Sequence, residues 1–177
     1  MRFWLGIFNS QTKCTLMKTL FNLLFLALFL TFATSCSSES SDDLQLEDIT
    51  IPETKEIEIE IMELINAYRI ENNLNALFNH DLVKSQAFSH SDYMAEEDNM
   101  SHANFYNRKS FLVNNAGASV VTENVAFGFT SAQSVVNAWI KSEGHRLNME
   151  GDYTNFDVSA EQNAEGKWYY TNIFIKK

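Results

Sequence analysis

Two rhythms run through the chain beyond residue 52. From Glu53 to Asn73, apolar side chains return every three or four positions. Ile57, Ile61, Leu64, Ile65 and Tyr68 share one face, which predicts a first helix. Glutamates crowd its first turns, where the helix dipole favours negative charge, and Asn72-Asn73 ends it. The helical spacing returns over Asp81–Glu97, with Asp81 as cap and Ala87, His90, Met94 and Ala95 on or near the buried side. A third helix is predicted over Ser131–Ser142, capped by Ser131 and burying Val135, Val136 and Trp139. The second rhythm is that of strands. Val120–Phe127 is rich in β-formers around its polar Glu123-Asn124 pair, and Phe156–Gln162 alternates in part. Lys167–Ile175 carries Trp168, Tyr169, Tyr170, Ile173 and Phe174, with Asn163–Gly166 as a hairpin loop before it. Helices come first and an antiparallel meander last, so the fold class is α+β.

The pattern upstream is different. Leu20–Phe32 is an apolar run broken only by Asn22 and Thr31, preceded by Lys18. It is short for a transmembrane helix and has the length of a signal-peptide core. Ala33-Thr34-Ser35-Cys36 then resembles the end of a bacterial lipoprotein signal, with alanine at position 33 where leucine is usual. Residues 1–35 are therefore expected to be a lipoprotein signal peptide, with Met17 as an alternative start. The thiol of Cys36 would carry the lipid and make the membrane a partner. An uncleaved anchor, or plain secretion, is the competing reading. Residues 36–52 form an acidic, serine-rich tether, SSESSDDLQLEDITIP after the cysteine. That run resembles a surface-export signal of outer-membrane lipoproteins, or serves only to clear the membrane. The expected location is the cell envelope, up to the outer-membrane surface. The domain proper is residues 53–177.

Charge and cysteine usage narrow the chemistry. Cys36–Lys177 holds 10 basic and 23 acidic residues, a net charge of −13, and no basic patch, so nucleic acid is not an expected partner. The only cysteines are Cys14 and Cys36, so the domain has no disulfide, thiol nucleophile or thiolate metal site. What remains is a set of polar residues in apolar company. His90 lies in HSDYM, His102 in MSH and His145 in SEGHRLN, while Glu123 stands between β-type residues, where a carboxylate needs a partner. Histidines near such a glutamate can form a metal site or an acid/base pair.

INAYR (Ile65–Arg69), HSDYM (His90–Met94), MSH (Met100–His102), TENVAFG (Thr122–Gly128), SVVNAWIKSEGHRLNM (Ser134–Met149) and YYTNIF (Tyr169–Phe174) follow one another in order. Together they resemble the bacterial branch of the CAP superfamily, the SCP-like extracellular domain, over about Glu60–Ile175. The resemblance implies an α-β-α sandwich with a central antiparallel sheet and a cleft at one side. It implies that the cleft holds His102, Glu123 and His145. The family's second glutamate falls on Ser142 here, with Glu143 next to it as a substitute. Thr122 stands where glycine is usual, and Asn172 replaces a frequent glutamine.

Three readings of function follow. In the first, a non-catalytic binding module uses His102 and His145 to hold a divalent cation such as zinc, or a small-molecule, lipid or protein ligand. Glu123 and Glu143 would then orient the histidines from behind. In the second, a metal-bound water makes the domain a hydrolase with Glu123 as base, although no HExxH helix or GxSxG elbow is present. The third is adhesion with no cleft chemistry. His90 is expected to be a helix residue hydrogen-bonded near the core. Arg69, Asn124 and Asn148 are expected to satisfy buried backbone, and Trp139, Trp168 and the tyrosines to be core.

Overall fold

The computed structural model describes residues 49–177. The leader, Cys36 and the tether up to residue 48 lie outside the described residues. Five helices and three strands follow in the order α1 (Glu56–Glu71), α2 (Asp81–Glu96), α3 (Phe105–Ala116), β1 (Val120–Phe127), α4 (Ala132–Lys141), α5 (Glu143–Glu150), β2 (Asn155–Gln162) and β3 (Trp168–Lys176). The sheet is antiparallel with order β1-β3-β2, so the last and most aromatic strand is central and the other two are edges.

Side chains alternate across a strand, so each face of the sheet collects its own layer. On one face Phe156, Val158, Ala160, Tyr170 and Phe174 pack with Ile61 and Ile65 of α1, Val135, Val136 and Trp139 of α4, and Met149 of α5. On the other, Val121, Ile173 and Ile175 pack with Val83 and Ala87 of α2 and Leu112 and Ala116 of α3. The result is the expected α-β-α sandwich.

Two helices go beyond the sequence expectation. Over α3, Phe105, Arg108, Leu112 and Ala116 recur at helical spacing, but an arginine occupies one of the apolar positions. Gly117, at φ +69, stops that helix in a left-handed conformation that favours glycine. The second is α5, which carries His145 and follows α4 after the single extended residue Ser142. His145 is thus helical rather than on a loop. Two smaller differences concern capping and exposure. His80, not Asp81, is the N-cap of α2, and Asp81 is its first helical residue. Tyr106 is 79 % exposed and Tyr93 is also exposed, so the tyrosines are not uniformly core. Among the described residues no helix is long and apolar enough to cross a membrane.

Edge strands present unpaired backbone groups that need cover. Along β2, Phe156 N–H bonds the carbonyl oxygen of Phe78, Val158 C=O accepts from Lys84 Nζ, and Ala160 N–H donates to Glu58 Oε1. Along β1, Trp139 Nε1 donates to Val125 C=O and Asn148 Nδ2 to Glu123 C=O.

Candidate functional site

Strand alternation sends Glu123 toward the α2–α3 layer and its neighbours Thr122 and Asn124 toward α5. A carboxylate on that side would be stranded among apolar atoms, since Glu123 is 5 % exposed. Its principal partner is Arg108, the arginine on the apolar stripe of α3. Nε donates to Oε2 at 2.8 Å and Nη2 to Oε1 at 2.9 Å, a two-point fork. The third guanidinium nitrogen, Nη1, bonds the Ala103 carbonyl at 2.7 Å, which pins the loop carrying His102. Burial lowers the Arg108 pKa and Glu123 opposes that fall. The sequence motifs do not name this cation. Its one signal is the charged residue at an apolar position of the Phe105–Ala116 periodicity.

His102 follows directly. Its Nδ1 lies 2.8 Å from Glu123 Oε1, so Nδ1–H donates to the carboxylate and the ring is held from that side. The His102 side chain is 54 % exposed, so the ring held in this way is open to the outside. From the other layer, α5 carries His145, which is half-buried and is not among the side chains that line the opening beside His102. Asn124 Nδ2 donates to the His145 carbonyl at 2.9 Å, and Asn148 Nδ2 bonds Asn124 Oδ1 at 2.9 Å. These two asparagines stitch α5 to β1. Burial holds the His145 imidazole below its ordinary pKa, and the neighbouring His102 lowers it further. A cleft of about 300 Å³ opens here, lined by His102, Phe105, Val121, Thr122, Glu123 and Asn148.

The remaining candidates fall outside this opening. Glu143 is exposed on the first turn of α5 and takes no part in the hydrogen bonds of the cleft. His90 is 2 % exposed and donates from Nε2 to the Ser101 carbonyl at 2.7 Å. It lies behind the cleft, 3.9 Å from Glu123 Oε1, and burial and then Arg108 lower its pKa. Arg69 bonds the carbonyls of Asn75, Met149 and Gly151, a backbone-satisfying role as expected.

Chemically, the arrangement offers an oriented imidazole and a carboxylate already spent. Both Glu123 oxygens are engaged by Arg108 and one also by His102, so Glu123 has little room to serve as a third metal ligand. Among the described residues, no group of three histidine, cysteine, aspartate or glutamate side chains forms a ready cation cage.

A model of the CAP family, the cysteine-rich secretory protein family, matches residues 62–174. The chain belongs to the CAP family. Two Bacillus subtilis (strain 168) proteins are similar to this CAP domain. The uncharacterized membrane protein YlbC is 30 % identical over 124 residues, which make up 68 % of this chain and 34 % of that protein. The uncharacterized protein YkwD is 29 % identical over 124 residues, 68 % of this chain and 47 % of its own. The chain therefore spans between a third and a half of these curated relatives. Among solved structures, an outer surface protein of Borrelia burgdorferi shares the fold, with TM-score 0.63 and 20 % identity, over 71 % of this chain and 96 % of that one. An extracellular SCP-domain protein of Bacillus anthracis aligns with TM-score 0.58 and 26 % identity, over 67 % of this chain and 40 % of its own.

Proposed function

We propose that this CAP protein is an exported binding module, tethered to the envelope by a lipid on Cys36, that takes its ligand at the His102–His145 cleft. The observation that carries the reading is the chain Arg108–Glu123–His102. A buried ion pair holds one half-exposed imidazole by Nδ1, and burial together with that imidazole lowers the pKa of the half-buried His145. A side chain held from behind in this way is pre-organised for an incoming electrophile or hydrogen-bond donor. A divalent cation such as zinc would be held by the two imidazoles, with water completing its shell. Such a site has modest affinity beside a four-ligand structural site. A small or lipidic ligand would use the same two nitrogens and the apolar lining of Phe105 and Val121. Export is supported by the leader ending at Cys36 and by structural neighbours that are extracellular or outer-surface proteins.

Calorimetric zinc titration of the full chain in detergent tests the cleft. Binding is expected at pH 7.5 and should weaken as pH falls through the free imidazole range near about 6.5, because imidazolium cannot bind metal. Replacing His102 or His145 by alanine should abolish it. Zinc binding that survives the double replacement, or that depends on His90, overturns the assignment. For the tether, Cys36→Ser should move the protein from the membrane to the soluble fraction. Membrane sedimentation of that variant, with no palmitate label in the wild type, would end that reading.

A further inference from the structure

Behind the Arg108–Glu123 pair lies a second cavity of about 440 Å³, between α2 and α3. This is within the range of small-ligand sites, ~300–1,000 Å³. Its floor is His90 and Arg108, so the ion pair is a partition with His102 on one side and this cavity on the other. Its walls are Gln86, Ser89, Tyr93, Asn104, Asn107 and Phe111.

Three features of this wall point to one kind of ligand. First, no uncompensated charge faces the cavity. Arg108 is neutralised by Glu123, and burial favours the neutral form of His90. Second, the polar groups are open to a ligand. Ser89, Tyr93, Asn104 and Asn107 are exposed, and among the described hydrogen bonds their side chains make none within the protein, while Gln86 reaches only Ser85 Oγ at 3.4 Å. Third, two aromatic rings flank these groups. Tyr93 is parallel to the His90 ring with centroids 6.0 Å apart, and Phe111 is half-buried opposite. Asn104 is held at φ +58, a left-handed conformation uncommon for a residue with a side chain, at the mouth of this cavity.

Amides and a hydroxyl beside aromatic faces match a ligand with hydroxyls around its edge and C–H groups on its flat faces. We infer that the α2–α3 cavity is a second binding site, for a neutral sugar ring. The amides of Asn104 and Asn107 and the Ser89 hydroxyl bond its hydroxyls, while Tyr93 and Phe111 pack against its faces. A net charge of −13 on Cys36–Lys177 works against an anionic ligand of the same size. The inference does not rest on the metal reading of the cleft, and it stands if zinc never binds.

The test uses the full chain in a detergent without a sugar headgroup. Cellobiose and chitobiose are titrated by calorimetry and by amide chemical-shift mapping, and co-sedimentation with insoluble cellulose and chitin is measured beside them. At least one disaccharide should bind with a dissociation constant on the order of 1 mM or below. The shifted amides should be those of residues 86–93 and 104–111 rather than 145–148. Asn107→Leu, which places an apolar branch in the cavity, and Tyr93→Ala should each weaken binding tenfold or more, while the melting temperature shows that both variants fold. Co-sedimentation as well would identify a glycan chain as the source, and disaccharide binding alone a free sugar. No binding of either disaccharide, shifts centred on the His145 cleft, or wild-type affinity in both variants overturns the inference.

Discussion

The two edges of the sheet solve the same problem with the same chemistry and reach different ends. At the β2 edge, Glu58 from α1 and Lys84 from α2 meet across the strand at 2.5 Å, with side chains 0 % and 3 % exposed. Glu58 also accepts from the N–H groups of Ala160 and Lys55, and Lys84 donates to Val158 C=O. Toward the surface the network reaches only Lys55, 37 % exposed and 3.7 Å from Glu58, whose ammonium is itself taken by Glu161, so every partner is occupied from within the protein. At the β1 edge, Glu123 and Arg108 form an equally buried pair, but the network continues one step further into a half-exposed histidine. A closed network is a structural seam. An open one presents an oriented, unsatisfied nitrogen to whatever arrives. Buried charge alone therefore does not single out a candidate site in this fold; the proposed site lies where the chain of hydrogen bonds reaches an exposed side chain.

The comparison can be broken most forcibly at the closed edge. Glu58→Ala strands the Lys84 ammonium and the Ala160 N–H, and loss of one partner of a buried pair costs about 3–5 kcal/mol. Urea unfolding should show that loss, and zinc binding by the protein that remains folded should equal wild type. A loss below about 1 kcal/mol would mean that the β2 pair does not hold its seam together. At the open edge, Arg108→Met should cost about 3 kcal/mol by the same argument and should weaken zinc binding as well. Arg108→Lys keeps the charge and loses the fork, so stability should suffer less while zinc affinity falls about 10–100-fold. An Arg108 variant that changes stability alone would make the two edges equivalent.

Acid should separate the edges by sign. On the β2 strand, burial pushes Asp157 up to about 6, from an ordinary 3.8. The native state then binds a proton that the unfolded state does not, so its penalty is fully present above about pH 6 and shrinks as pH falls toward 3.8. Asp157→Asn should be more stable than wild type by roughly 1–3 kcal/mol at pH 7.5, with the advantage shrinking over that window. His90 and His145 behave oppositely, since burial lowers both. Their neutral forms support folding above the unfolded histidine value near about 6.5, and that support declines as pH falls below it. Unfolding free energies of wild type, Asp157→Asn and His90→Gln between about pH 8 and 5 check both signs. The smallest effect belongs to the end of the open network. His102→Ala should change stability by less than about 0.5 kcal/mol, because the ring is half-exposed, and yet remove the zinc heat.

The strands and three of the helices were readable because their signals are local. Val120–Phe127 has the predicted ends, and Ser131 caps its helix through Ser134 N–H as expected. The site was readable in part. Glu123 announced itself as a carboxylate in apolar company, and the family motifs paired it with His102 and His145. Arg108 was hidden because its partner lies 15 residues away in a different element, and a single arginine inside an apolar stripe looks like a break in the helix. Lys84 was hidden for the same reason, with Glu58 26 residues upstream. Glu143 drew interest by its position beside Ser142, but the turn between α4 and α5 leaves its side chain in solvent.

The covered edges also govern how copies of this protein can meet. A bare edge strand is a template on which another molecule's strand can add, and from there ordered aggregates can grow. Here the N–H groups of Phe156 and Ala160 and the carbonyl of Val158 on one side, and the carbonyls of Glu123 and Val125 on the other, are already taken by side chains and by Phe78. Strand-on-strand association would first have to displace Lys84 and Glu58, or Trp139 and Asn148. Each displacement opens the core. Aggregation of this domain is therefore tied to its unfolding, and native molecules can crowd together without zipping to their neighbours.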